Sequence, residues 1–241
     1  DLPGRPRIRY LDATLDAEVA AAMKLARERG WLAADPVAAR PQSSALGQRR
    51  MVLRAVTETG GIELLLDRDS HALTRLAPPP SEHAERFFSP SEPFSFEASD
   101  GLRIHGYLAR PRGVRGPAPL VVYIHGGPWI RDHWQPAGFN TVQMLANRGY
   151  AVLQVNYRGS GGYGRAFMLA GAGQTSGRLQ QDIAEAAQWA VDQGVADPRR
   201  MAVLGASFGG FSVLAQLIRK PHDYRCGIDI VGVANWPRVI E

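Results

Sequence analysis

The sequence predicts an α/β fold, a mostly parallel sheet with helices on both faces, preceded by a small antiparallel meander. Three observations carry this reading. Beyond residue 90, short unbroken apolar runs alternate with segments of helical periodicity, the pattern of buried parallel strands. Between residues 49 and 77, strand-like runs follow one another through tight turns. One serine, Ser207, lies within "LGASFGG", between an apolar run and a helical one.

Residues 14–29, "TLDAEVAAAMKLARER", are rich in alanine and predict a helix stopped by Gly30. "RRMVLRAVT", "IELLLD" and "ALTRLA" then predict a three-stranded meander, turned by "ETGG" and "RDSH". It reads as one blade of a propeller rather than a complete domain, because three strands alone bury little. "APPPSE", 77–82, predicts a linker. "PFSFEA" and "LRIHGYLAR" flank "SDG", a hairpin turn, and "LVVYI" at 120–124 predicts a buried strand. "FNTVQMLANRG" predicts a helix closed by Gly149, "YAVLQVN" a strand, and "GRLQQDIAEAAQWAVDQG" a helix ended by Gly194. "RMAVLGA", "FGGFSVLAQLIRK" and "CGIDIVGVA" predict strand, helix and strand. The expected division is an N-terminal helix and meander over 1–80 and an α/β domain over 81–241.

Composition narrows the function. At 241 residues and 45% hydrophobic, the chain can bury a sizeable core. No apolar run approaches the roughly 18 residues of a membrane span, and no signal-peptide pattern opens the chain, so no membrane partner and a cytoplasmic site are expected. The formal charge of +5 is carried almost wholly by arginine, Lys24 and Lys220 being the only lysines. The arginines are scattered rather than clustered, which argues against a nucleic-acid partner. A single cysteine, Cys226, excludes an internal disulfide and a cysteine-only metal site. His71, His83, His105 and His133 show no metal-ligand spacing, so no metal and no cofactor are expected.

Gly205-Ala206-Ser207-Phe208-Gly209 fits G-x-S-x-G, in which small residues permit a sharp strand-to-helix turn that lifts the serine above the sheet. The following helix aims its N-terminus at the site and favours developing negative charge. Ser207 is therefore the expected nucleophile. "YIHGGPW", 123–129, follows the strand "LVVYI", so its glycines can bring a backbone N–H to a substrate carbonyl, with the N–H of Phe208 as partner. "RGSGGYG", 158–164, also fits a dinucleotide-binding pattern, with Asp182 near the required spacing. Asp182, however, falls near the start of a helix instead of ending a strand, so a nucleotide cofactor is not expected.

"HGGP" at 125–128, "NYRGSGGYGRAF" at 156–167, "DIAEAAQW" at 182–189 and "GASFGG" at 205–210 occur in that order. Together they resemble the catalytic domain of prolyl oligopeptidase family serine peptidases, closest to its acylaminoacyl-peptidase and dipeptidyl-peptidase branches. The resemblance covers about residues 90–241 and extends weakly over 1–80, where the family places the end of a β-propeller. It implies an α/β-hydrolase fold, a Ser-Asp-His triad and short peptides as substrates, because a propeller caps the site. By position it implies Ser207 as nucleophile and the N–H groups of Gly127 and Phe208 as oxyanion hole, with Arg158 as a brace.

The acid and then the histidine should follow the serine on later loops. His222 is the only histidine after Ser207, and it lies at the far end of the helix that Ser207 begins. Asp223 and Asp229 fall before or inside the last strand, and His125 belongs to the oxyanion loop. The triad Asp and His are thus expected to be absent from residues 1–241, and the α/β-hydrolase domain to be truncated at its C-terminal end. An esterase or lipase of the same fold, and a catalytically dead binding or assembly module, are the competing readings. Oligomeric state is left open.

Overall fold

The structure is a computed structural model that describes residues 8–32, 36, 38–44, 49–57, 60–76, 87–134 and 140–235. The expected linker at 77–82 and His83 lie outside the described residues. The chain divides into two compact units, with Pro90 ending one and Ser91 opening the main span of the other.

In the first unit, helix α1 (Ala13–Glu28) is capped by Asp12, whose carboxylate accepts from the N–H groups of Thr14 and Leu15. Gly30, at φ 69°, takes the left-handed conformation that lets the chain leave the helix. Four antiparallel strands follow in sequential order: β1 (Ala38–Ser44), β2 (Arg50–Thr57), β3 (Gly60–Asp67) and β4 (Ala72–Arg75). The expected meander has three strands, and β1 is the addition. Its sequence, AARPQSS, lacks apolar alternation, and its register with β2 slips between Pro41 and Ser43, as suits a proline on an edge strand. Alternate residues of β2 (Met51, Leu53, Ala55) and β3 (Ile62, Leu64, Leu66) form one core with Val19, Ala22, Met23 and Ala26 of α1. A fork of hydrogen bonds of 2.8 and 3.2 Å from Arg68 to Glu18 ties sheet to helix, as does the 2.6 Å bond from Arg29 to the Leu73 carbonyl.

The second unit is a six-stranded mixed sheet with the order β10-β9-β7-β8-β6-β5. Strands β7 (Ala118–Ile124), β8 (Ala151–Asn156), β9 (Ala196–Ala206) and β10 (Cys226–Ile230) run parallel. The hairpin β5 (Ser91–Glu97) and β6 (Arg103–Ala109) joins antiparallel, its turn eased by Gly101 at φ 84°. Helices α2 (Thr141–Ala146), α3 (Arg165–Leu169), α4 (Arg178–Asp192) and α5 (Phe208–Arg219) connect them. Every residue of β8 is buried, and only Gln154 and Asn156 interrupt its apolar sequence. On α4, Leu179, Ile183, Ala186, Ala187 and Ala190 are buried at helical spacing, and full burial of Ile183 contributes about 1.5–3 kcal/mol.

Three expectations are corrected here. The helix expected to reach Gly149 ends at Ala146, since Asn147 to Gly149 form a turn with Gly149 at φ 91°. The last strand stops at Ile230 rather than Ala234, because Val231 turns to φ 48°, which breaks the ladder. The short helix α3 follows the glycine run, where no helix was expected.

Arg158, just past β8, ties the sheet to its surroundings. Its backbone N–H and Nε both donate to Asp182 Oδ2, at 2.9 and 2.8 Å, and Nη2 donates to Asp182 Oδ1 at 2.8 Å. Nη1 and Nη2 also reach Asp100, in the β5–β6 turn, at 2.8 and 3.0 Å. This pairing holds the Asp100 carboxyl down at about 2. Removing one member of a buried ion cluster leaves the others uncompensated, at a cost of about 3–5 kcal/mol. Arg158→Met is therefore expected to lose about that much stability in denaturant unfolding at pH 7.5. The loss should shrink at pH 5, where a stranded Asp182 takes up a proton; a loss below 1 kcal/mol would contradict the assignment.

Candidate active site

Ser207 stands between β9 and α5 with φ 56° and ψ −119°, a conformation that costs a non-glycine residue on the order of 1–3 kcal/mol. Its side chain is exposed, and its N–H donates to the Ile230 carbonyl at 3.0 Å, pinning the turn to the end of β10. The chain tolerates the turn because of its glycines. A Cβ on Gly205 would run into Gly209, including its Cα at 2.9 Å. One on Gly209 would strike the Ile124 carbonyl oxygen and come within 3.1 Å of the His125 oxygen. One on Gly210 would meet the Asp229 carboxylate and lie 2.7 Å from the Gly232 Cα. The first turn of α5 is thus pressed against the ends of β7 and β10, and the G-x-S-x-G spacing follows from that contact.

The loop after β7 passes directly over the serine. A Cβ built on Gly126 would be 3.6 Å from the Ser207 Cβ and 3.4 Å from the Ala206 carbonyl oxygen. Gly127, at φ 120°, curls the loop so tightly that its own Cβ would lie 2.6 Å from the Trp129 nitrogen. Phe208 opens α5, so its N–H sits at the positive end of that helix's dipole. Gly126 is the loop glycine whose close approach to Ser207 the structure records, and sequence reasoning singled out only its neighbour. Trp129 and Ile130, on the same loop, are exposed.

His125 is turned away from solvent. Its ring stacks on Tyr157, with centroids 4.2 Å apart, and its nitrogens meet the Gly126 carbonyl at 2.8 Å and Ser160 Oγ at 3.0 Å. Burial pushes its pKa down to about 4, so the imidazole is neutral at physiological pH. The Tyr157 hydroxyl donates to the His125 carbonyl at 2.9 Å. Further along, the Gly161 N–H donates to the Trp129 carbonyl at 3.0 Å. The segment 156–163 therefore acts as a cradle for the loop, a role the glycine pattern of "RGSGGYG" did not reveal.

The remaining candidates lie elsewhere. Asp182 is the fifth residue of α4 and is occupied by Arg158, which leaves it no part in nucleotide binding. His222 and Asp223 are exposed in the turn after α5, and Asp229 lies within β10. His105 stacks on Tyr163 at 4.8 Å, while His71 and His133 are exposed. Cys226 is exposed at the start of β10. Among the described residues, no histidine or carboxylate is hydrogen-bonded to Ser207, and no cluster of three or more His, Cys, Asp or Glu could hold a metal ion. No helix among them is long and apolar enough to cross a membrane.

The contact at Gly209 gives a direct test of this packing. Gly209→Ala is expected to lower stability by about 1–3 kcal/mol, the usual cost of overpacking, because both obstructing atoms are backbone. Equilibrium unfolding in urea checks this, and an unchanged midpoint would show that α5 does not press on β7.

Residues 136–240 match the prolyl oligopeptidase family. The chain is 40% identical to dipeptidyl aminopeptidase BIII of Pseudoxanthomonas mexicana over 177 residues, 70% of this chain and 25% of that protein. It is 38% identical to dipeptidyl peptidase family member 6 of Caenorhabditis elegans, over 61% of this chain and 23% of that protein. The chain thus spans about a quarter of the length of these curated relatives. Among solved structures, it resembles a Mycobacterium tuberculosis puromycin-hydrolyzing peptidase with a TM-score of 0.66 and 25% identity, over 79% of this chain and 30% of that one. It resembles Pyrococcus horikoshii acylaminoacyl peptidase with a TM-score of 0.64 and 25% identity, over 78% of this chain and 30% of that one. The order of the motifs and the α/β-hydrolase sheet that carries them agree with this likeness, and residues 136–240 are the part that matches the prolyl oligopeptidase family.

Proposed function

We propose that this chain supplies the nucleophile and the oxyanion-binding loop of a serine peptidase that hydrolyses short peptides through an acyl-enzyme on Ser207. The observation that carries the reading is the strained, exposed Ser207 (φ 56°, ψ −119°) with the Gly126-Gly127 loop packed over it. An exposed hydroxyl on a strained turn is aimed at a ligand rather than folded back onto its own helix. The names of the relatives, dipeptidyl aminopeptidase and acylaminoacyl peptidase, support peptides as the substrate class.

In this reading the Ser207 oxygen attacks the scissile carbonyl carbon while a base removes its proton. The carbonyl oxygen becomes an oxyanion held by the N–H groups of Gly127 and Phe208, and the α5 dipole stabilises the same charge. The amine leaves with a proton from the protonated base, and water then releases the acyl group by the same steps in reverse. His125 is not that base, because its ring is buried against Tyr157 and Ser160. The acid and base are supplied from outside the described residues. The four antiparallel strands of the first unit serve as one blade of the propeller that restricts entry to short peptides.

The test uses the complete peptidase, with the acid and base present, because residues 1–241 alone are expected to be inactive. Ser207→Ala should abolish hydrolysis of aminoacyl and peptidyl chromogenic substrates, with a loss in turnover on the order of 10⁶, and leave the melting temperature unchanged. A fluorophosphonate probe should label the parent protein and not the variant. Labelling that persists in Ser207→Ala would assign the nucleophile to another residue.

A further inference from the structure

The loop that covers Ser207 ends in a buried carboxyl that the proposed mechanism does not use. Asp132 is gripped at its backbone by Asn156, whose Oδ1 accepts from the Asp132 N–H at 2.8 Å and whose Nδ2 donates to the Asp132 carbonyl at 3.0 Å. Asn156 is itself fully buried at the end of β8 and also donates to the Tyr163 hydroxyl at 2.7 Å. The loop is thus bonded to β8 through one side chain. The Asp132 carboxyl beside this grip has a hydrogen-bonding neighbour in Gln154, yet its Oδ2 is buried and has no hydrogen-bond partner among the described residues.

We propose that Asp132 is a positioning residue: protonated, it keeps the 125–132 loop seated on segment 156–163, and its ionisation unseats the loop. The proposal rests on the assignment of Gly126-Gly127 to the oxyanion site of Ser207.

The surroundings explain why the ionised form does not fit. Burial raises the pKa of Tyr123 of β7 and of Tyr157 and Tyr163 in the segment after β8, and a negative charge on Asp132 pushes each phenol up further. On the β6 side, His105 stacks on Tyr163 and carries no positive charge that could help, since burial lowers its pKa. The positive charge that acts on the carboxyl is that of Arg131, which is engaged elsewhere. Its Nε donates to the Asp132 carbonyl at 3.2 Å, its Nη2 donates to the Tyr107 hydroxyl on β6 at 3.3 Å, and its guanidinium lies 4.9 Å over the Tyr163 ring. His133, next in the chain, is exposed. Burial therefore outweighs the Gln154 bond and the Arg131 charge, and raises the Asp132 carboxyl to about 7. An ionised Asp132 gains by swinging to water, which breaks the Asn156 grip and draws Gly126 and Gly127 away from Ser207. Because the folded-state pKa lies above the unfolded value, the seated loop is favoured at low pH and is lost as pH rises through about 7.

Hydrogen-exchange mass spectrometry on the full chain tests this without relying on catalysis. In the parent protein, protection of a peptide spanning 125–134, corrected for intrinsic exchange, should fall about fourfold between pH 6.5 and 8.5. A peptide spanning 151–156 should keep its protection. Asp132→Asn, which keeps the shape and removes the charge, should abolish the pH dependence. On a fluorogenic peptide, kcat/KM should fall over the same range in the parent and stay level in Asp132→Asn. Loop protection that is independent of pH in the parent overturns the proposal, and so does an alkaline limb shared by parent and variant. The parent series decides alone if the variant does not fold. If no peptide is hydrolysed at all, the peptidase reading fails, and the exchange series still decides whether Asp132 seats the loop.

Discussion

A helix can begin against the end of a neighbouring strand only if its first turn carries no side chain on the contact side. Gly205, Gly209 and Gly210 meet this condition, and the rest of the α/β unit is arranged around the contact they permit. Because α5 starts so close to β7, Ser207 must turn through a left-handed conformation to connect β9 to it. The bond from Ser207 N–H to Ile230 then fixes β10 to the same point. The strain at one residue is distributed over three strands and a helix, which is why it persists. A looser turn would leave the hydroxyl free to sample many directions, and the geometry proposed for attack would be lost.

A second layer supports the first. The loop over Ser207 has little secondary structure of its own, and its position is set by side chains and amides of residues 156–163. Polar groups there are buried and mutually satisfied: Ser160 donates to the Tyr157 carbonyl at 2.7 Å, and Tyr157 reaches the His125 carbonyl. Buried networks of this kind rigidify a site because every broken bond strands a partner. The exception is Asp132, and its unpaired oxygen makes the loop sensitive at one end only.

The parallel strands were legible because burial on both faces leaves mostly apolar runs, as in "LVVYI" and "YAVLQVN". The elbow was legible because backbone crowding selects small residues at fixed spacing. What stayed hidden depended on contacts between distant segments. Nothing in "AARPQSS" announces β1, since its pairing is determined by β2. The role of Asn156 could not be read either, because a buried asparagine at a strand end looks like any other until the loop from β7 is laid across it. The early end of β10 turns on the backbone angle of Val231, and a β-branched residue there gave a misleading strand signal.

The Arg158 cluster also bears on the order of events in folding. Asp100, Arg158 and Asp182 belong to a hairpin turn, a strand exit and a helix, so no two of them are brought together by local structure alone. Closing such long loops costs chain entropy before any of the charges can be neutralised. The cluster therefore locks a sheet that apolar packing has already assembled. Its contribution falls on the unfolding side of the barrier: it slows the opening of the β5–β6 hairpin without hastening its arrival.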